Sequence, residues 1–206
     1  MAAPSLHTRT RTRMPAEERR AQIIAAAALL ISERGYWGLS VQDVATSCDI
    51  TLSGLLHHFP SKETLLIAVL EDRDIRDESA IRNRLQLGES ELERRDGSRI
   101  SIAETCVAIM DQNSDQREVI RLYTVLQAEA LTPGHPATEY FALRQVSAID
   151  RFAKLVPLEP NPRGIASQVL ALIDGISLQW LRDPSSDLST VWREATRDIP
   201  HLRPAS

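Results

Sequence analysis

The sequence is poor in the residues that several common functions require. It has only two cysteines, Cys48 and Cys106, which stand in apolar surroundings without a CxxC or Cys/His ligand spacing. Neither a disulfide framework nor a metal site is expected from them. Aromatic residues make up only 4%, too few for the stacking platforms of a single-stranded nucleic-acid binder. The longest uninterrupted apolar run is Ile23 to Ile31, nine residues, which is too short to span a bilayer. The Arg-rich opening is not followed by a signal-peptide core and cleavage site, so a cytoplasmic location without membrane contact is expected. No run of β-branched alternation is apparent, which removes strands from consideration and leaves an all-α fold.

What is present fits an ordinary globular protein. The chain has 206 residues, 43% hydrophobic and 25% charged, enough for one medium domain or two small ones around a real core. The formal net charge of −4 disfavours, as an average, a surface coated for a polyanion. The charge is divided along the chain. Residues 1 to 62 hold seven Lys or Arg against five Asp or Glu, or +2, leaving −6 for the remainder. Arg9, Arg11 and Arg13 alternate with threonines before the first acid at Glu17. This stretch reads either as a flexible cationic arm or as a solvated terminus.

Gly and Pro punctuate long helical patterns. Pro15 suits the first turn of a helix, Glu17 and Glu18 favour its positive end, and Gly35 is a plausible C-terminal cap. Ser40, with Asp43 three residues later, opens a second, short helix. Thr51 caps a third of about two turns, closed by Pro60. Ser61 caps a fourth from Lys62 to about Leu87, roughly 39 Å long at 1.5 Å per residue. A charged loop from Gly88 to Ser98 follows. Further helices are expected at about Ile100 to Gln112, Arg117 to Leu131, Ala137 to Val156, Ile165 to Leu181 and Leu188 to Ile199. The segment from Ile165 is apolar on most faces and must be buried in its own domain or against another chain.

Three helices, the second and third short and joined by a few residues, have the outline of a helix-turn-helix whose third helix enters the major groove. A short helical hairpin in any bundle shares that outline. The residues add a resemblance. Gly35-Tyr-Trp-Gly-Leu-Ser-Val-Gln-Asp-Val-Ala45 and Ile50-Thr-Leu-Ser-Gly-Leu-Leu-His-His-Phe-Pro-Ser-Lys-Glu-Thr-Leu-Leu66 resemble the DNA-binding domain of the TetR (tetracycline repressor) family over about residues 15 to 70. His135-Pro136, Tyr140-Phe141 and Asp174 to Pro184 are similar to one branch of such regulators. The resemblance implies a homodimeric repressor that leaves a palindromic operator when a small-molecule effector enters the C-terminal domain. The implied organisation is an arm over 1–14, a helix-turn-helix domain over 15–61 with its motif at about 40–59, and a ligand-binding and dimerisation domain over 62–206.

Each position carries its own chemistry. Ser40 can offer its hydroxyl to a phosphate, and Gln42 can reach a base edge or the backbone. Thr51, Leu52 and Ser53 begin the recognition helix, where Leu52 can touch a thymine methyl. His57 and His58 can donate to phosphates, Lys62 adds a charge, and Arg9, Arg11 and Arg13 can follow the minor groove. The chain departs from the family pattern in three places: Leu56 where Tyr or Phe is common, Leu52 where a polar residue is frequent, and Asp49 in place of the usual turn Gly. Each lowers the expected phosphate affinity and raises dependence on the arm.

The alternatives are an enzyme and an interaction module. Catalysis would start from His57 and His58 with Asp43 or Glu63, but adjacent helix positions point about 100° apart and cannot chelate one metal. No nucleophile elbow or phosphate-cradling loop stands nearby, so no catalytic residue and no cofactor are expected. An all-helical dimeric interaction module without DNA binding remains the rival. For the effector, Met110, Tyr123, Gln127, Asp174 and Trp180 are the candidate lining residues, with Asp174 the most informative because a buried carboxylate needs a partner. The last two helices are expected to form the dimer contact, a four-helix arrangement.

Overall fold

The computed structural model describes residues 14–90 and 92–203; the arm arginines Arg9, Arg11 and Arg13 lie outside them. The described residues form the expected all-α fold. Helix α1 spans Ala16–Gly38 and buries Ile23, Ile24, Ala27 and Ile31 along one face. Gly35, read as the C-terminal cap, instead breaks the helix at φ 69°, ψ 177°, an extended positive-φ conformation open essentially to glycine alone; one further turn follows it and the cap falls at Leu39.

Helices α2 (Val41–Ser47), α3 (Leu52–His58) and α4 (Lys62–Arg84) begin at the hydroxyl residues read as caps. Ser61 adds a reciprocal pair with Thr64. Helix α4 stops at Arg84 rather than Leu87, because Gln86 turns left-handed at φ 54° and Leu87 pairs with Arg94 across an isolated bridge. Helix α5 (Ile102–Ser114) starts later than expected, since Ser101 and Glu104 form a full capping box. Helices α6 (Arg117–Glu129) and α7 (Thr138–Leu155) follow. Pro162, expected within a break, is instead accommodated in the first turn of α8 (Pro162–Arg182), where Asn161 accepts from the Gly164 N–H at 3.0 Å, a position that needs no proline donor. Helix α9 (Leu188–Thr196) and a short 3₁₀ turn (Pro200–Leu202) close the described chain.

Two large apolar cores organise these elements, with a small third cluster of Leu85, Leu87, Ile100 and Ala108 where α4 gives way to the loop before α5. The first joins α1, α2 and α3 to the start of α4 and to Leu122, Tyr123 and Leu126 of α6. It runs without interruption across position 61. The second gathers α5, Ile120, Phe152, α8, α9 and Leu202. By length and composition α8 is apolar enough to cross a membrane, a property that uninterrupted apolar runs did not reveal. In the fold it packs against α7, α6 and α9 and buries Val169, Ile173, Ile176 and Trp180.

The two final helices differ in what they expose. The apolar residues Leu188 and Trp192 of α9 are buried in the second core, where α9 packs on α5. Exposed large apolar side chains lie instead on α7, at Leu143 (63%) and Val146 (51%), and on α8, at Leu178 (38%).

Candidate nucleic-acid interface and its joint to the helical body

The short helices are held at fixed angles by caps and by one shared core. Ser40 accepts from the Asp43 N–H at 3.4 Å, and Thr51 accepts from the Gly54 N–H at 3.1 Å. The connecting turn places Asp49 at φ 53°, the left-handed conformation anticipated for this aspartate. Val44, Ala45, Leu55 and Phe59 face inward against Ile23 and Ala27. The opposite side of α3 is exposed at Thr51, Leu52, Ser53, Leu56 and His57, with Gln42 exposed on α2. Thr51 and Ser53 share a hydroxyl–hydroxyl hydrogen bond at 3.1 Å. The sequence candidates Gln42, Thr51, Leu52, Ser53 and His57 are thus all solvent-facing, and Ser40 is half-buried.

His58 and Lys62 are placed differently from the others. Burial lowers the His58 pKa, as do the positive neighbours His57, Arg20 and Arg19, so its imidazole is mainly neutral at pH 7 and offers a hydrogen bond in place of a charge. Its ring stands edge-on to His57 at 5.7 Å. Lys62 directs its ammonium over the Tyr36 ring at 4.4 Å, so part of its charge serves α1.

Three arginines of α1 support this geometry and carried no sequence signal beyond charge. Arg19 donates to the Cys48 carbonyl at 3.3 Å, and Arg20 donates to the His58 carbonyl at 3.2 Å while lying over Phe59 at 4.2 Å. Arg34 pairs with Asp43 of α2 at 2.9 Å. Together they tie α1 to the ends of both short helices.

A second set of contacts joins this unit to the helical body. Beyond the Gly35 break, the Tyr36 N–H donates to Glu129 at the end of α6 at 2.8 Å. The Tyr36 hydroxyl donates to Glu63 at 3.2 Å, and burial with the Glu63 charge pushes its pKa up to about 12. The buried His135 ring meets Tyr36 at 4.9 Å and Trp37 at 5.6 Å. Its Nδ1 accepts from the Ala137 N–H at 3.2 Å.

Deeper in the body, Asp74 of α4 collects groups from three elements. It accepts from Tyr123 at 2.9 Å and from Tyr140, and pairs with Arg73 at 3.1 Å and Arg144 at 3.4 Å. Burial opposes its charge, but the Tyr140 hydrogen bond, the Arg144 and Arg73 guanidiniums and Tyr123 together hold its pKa below the usual carboxylate value. Arg73 and Arg144 both lie against the Tyr123 ring, at 3.9 and 4.8 Å.

The effector candidates fall into two groups. Tyr123 enters the Asp74 network, and Gln127 reaches Asp174 at 3.5 Å. Asp174, expected to be a buried carboxylate, is instead solvent-exposed on α8; partial desolvation of its carboxyl raises its pKa, against the Gln127 hydrogen bond and the Arg144 charge. Met110 is fully buried in the second core, and Trp180, also buried, lies under Arg117 at 4.3 Å and donates to the Ser186 carbonyl at 3.1 Å. A cleft of about 490 Å³ lies elsewhere, between α8 and the 3₁₀ turn, lined by Ile165, Gln168, Val169, Leu172, Ile199 and His201, among others. Among the described residues no cluster of three or more His, Cys, Asp or Glu side chains is placed to hold a metal.

Residues 23–69 match the sequence profile described as bacterial regulatory proteins, tetR family. Over 68 residues, 33% of this chain, the sequence is 34% identical to the HTH-type transcriptional activator FasR of Mycolicibacterium smegmatis. Over 54 residues, 26% of this chain, it is 39% identical to the HTH-type transcriptional repressor KstR2 of the same organism. These matches span 31% and 26% of the relatives' own lengths. At the level of fold the likeness extends much further: reduced NemR of E. coli superposes with a TM-score of 0.68 at 18% identity, over 92% of this chain and all of that one.

Proposed function

We propose, from the match of residues 23–69 to the tetR family of bacterial regulatory proteins and the geometry of α2 and α3, that the chain is a homodimeric, ligand-responsive regulator of transcription of that family, acting as a repressor. The observation that carries this reading is the exposed row Thr51, Leu52, Ser53, Leu56 and His57 on a capped helix whose other face is locked in a core. Such a helix can enter the major groove without rearrangement. Gln42 and the Ser40 hydroxyl flank it for backbone contacts, and the arm residues Arg9, Arg11 and Arg13 supply cationic charge for an adjacent minor groove.

The division of labour follows the helix-turn-helix boundary, while the cationic excess of the N-terminal part lies on Arg9, Arg11, Arg13 and Lys62. Residues 15–61 act as the reader, and residues 62–206 as the dimerising sensor. The dimer contact is formed by α7 and α8, where Leu143, Val146 and Leu178 are exposed, in preference to α9. Two copies then present their α3 helices about one DNA turn apart, roughly 34 to 36 Å.

The effector acts by preferring a different spacing. Tyr123, Gln127 and Asp174 are the polar groups proposed to meet it, while Met110 and Trp180 stay packed within the second core. A shift of α6 or α4 is felt by the reader through Glu129, Glu63 and the shared core. Typical couplings of about 1 to 3 kcal/mol change operator affinity by roughly one to two orders of magnitude, and bound DNA weakens the ligand equally.

Selection of genomic fragments with the purified full chain tests the proposal. Enrichment of fragments sharing an inverted repeat supports it. Recovery indistinguishable from the input would favour the interaction-module reading.

A further inference from the structure

We infer that Leu52 and Leu56 form an apolar pair that reads thymine methyl groups, so that each operator half-site carries two thymines about two base pairs apart. This rests on the regulatory reading above and specifies the sequence that its reader selects. The two leucines are exposed to 37% and 38% and stand four residues apart on α3, hence on one face. They are not spare core residues. Leu55 and Phe59, on the inward face, are 0% and 1% exposed and complete the packing on α1. Polar groups border the pair, with Thr51 and Ser53 at its N-terminal end and His57 at the other.

The occupant follows from what a recognition helix meets. The apolar feature of the major-groove floor is the thymine C5 methyl, whereas cytosine presents an N4 amino donor and guanine presents N7 and O6 acceptors. A leucine cannot satisfy those groups, and pressing it against them strips them of water without return. The same side chain therefore favours thymine and opposes a G·C pair. Cβ atoms at i and i+4 are about 5 to 6 Å apart. Successive bases on one strand rise about 3.4 Å, which sets the separation at about two base pairs. The exposed side chains of α2 are polar, at Gln42, Thr46 and Ser47, and the other large exposed apolar residues of the reader, Leu29 and Trp37, belong to α1, so within the helix-turn-helix pair this methyl contact is concentrated on α3.

The test uses the full chain and a duplex recovered by selection from a randomised pool. Single thymines are replaced by deoxyuridine, which removes the methyl and keeps the hydrogen-bonding pattern, and affinity is read by fluorescence anisotropy. Burying one methyl predicts a fall of about three- to fivefold at each of two positions per half-site. Leu52→Ala should abolish the uracil effect at one position and Leu56→Ala at the other, with unchanged thermal unfolding midpoints confirming intact folding. Uracil that leaves affinity unchanged throughout, or leucine variants that keep the wild-type uracil response, would overturn the inference while leaving the regulatory reading in place. Failure to enrich any duplex would overturn both.

Discussion

Tyr36 gives its backbone N–H to the Glu129 carboxylate at 2.8 Å, across 93 residues of sequence. The contact is possible because Gly35, at φ 69°, has no Cβ where the carboxylate sits. Glu129→Ala should lower stability by about 1 to 3 kcal/mol, the range for a hydrogen bond to a charged group. Gly35→Ala should cost more, since it adds left-handed strain to the steric conflict. Urea unfolding of both variants measures this, and the expected order is wild type, Glu129→Ala, Gly35→Ala. Equal midpoints would show that the joint contributes nothing.

The same joint should respond to pH through His135. Burial lowers its pKa below the usual value of about 6.5, while Glu129 opposes that shift. A histidine kept neutral in the fold but not in the unfolded chain contributes stability that is present above about pH 6.5 and lost as pH falls through the folded value. Protonation would also turn the Nδ1 acceptor for Ala137 into a donor. His135→Asn, which keeps an acceptor there, should flatten the stability profile between about pH 6.5 and 5. Parallel profiles for variant and wild type would place the titration elsewhere.

Dimerisation through α7 and α8 predicts that Leu178→Glu and Leu143→Glu each yield monomers in analytical ultracentrifugation. Both side chains are exposed in the single chain, so folding should survive by circular dichroism. Operator affinity should fall at least tenfold because two linked half-site attachments become one. A retained dimer in both variants would move the interface to another face.

Much of the reader was legible in the sequence. Ser40, Thr51 and Ser61 announce helix starts because a capping hydroxyl is a local requirement, and Asp49 marks the turn because few residues accept its backbone angles. The body was harder. Period alone cannot distinguish a packed wall from a pocket lining, so Met110 and Trp180 read like Tyr123 although they are buried in the second core. The low apolar exposure of α9 likewise depends on what α5 presents to it. The Asp74 network joins α4, α6 and α7 through side chains 49 to 70 residues apart, a separation at which local patterns carry no information. Arg19 and Arg20 were visible only as charge until their acceptors on Cys48 and His58 were placed.

The arm offers a separate test of how the reader holds DNA. The exposed face of α3 carries no Lys or Arg, so Arg9, Arg11 and Arg13 should supply a large share of phosphate neutralisation. Deleting residues 1–13 should weaken operator binding at physiological salt. It should also reduce the slope of log affinity against log salt by about 0.9 for each phosphate that the shortened chain no longer neutralises. Unchanged affinity and slope would refute this role.

The most direct measurement for the reader itself is a hydroxyl-radical footprint of the purified full chain on a selected genomic fragment. The expected result is two protected half-sites related by a two-fold axis and centred about one helical turn apart, each placing α3 in the major groove. Disappearance of that protection on Thr51→Ala combined with Ser53→Ala, in a variant that remains folded and dimeric, would tie the footprint to α3. A fragment bound without any symmetric protection, or protection indifferent to those two substitutions, would contradict it.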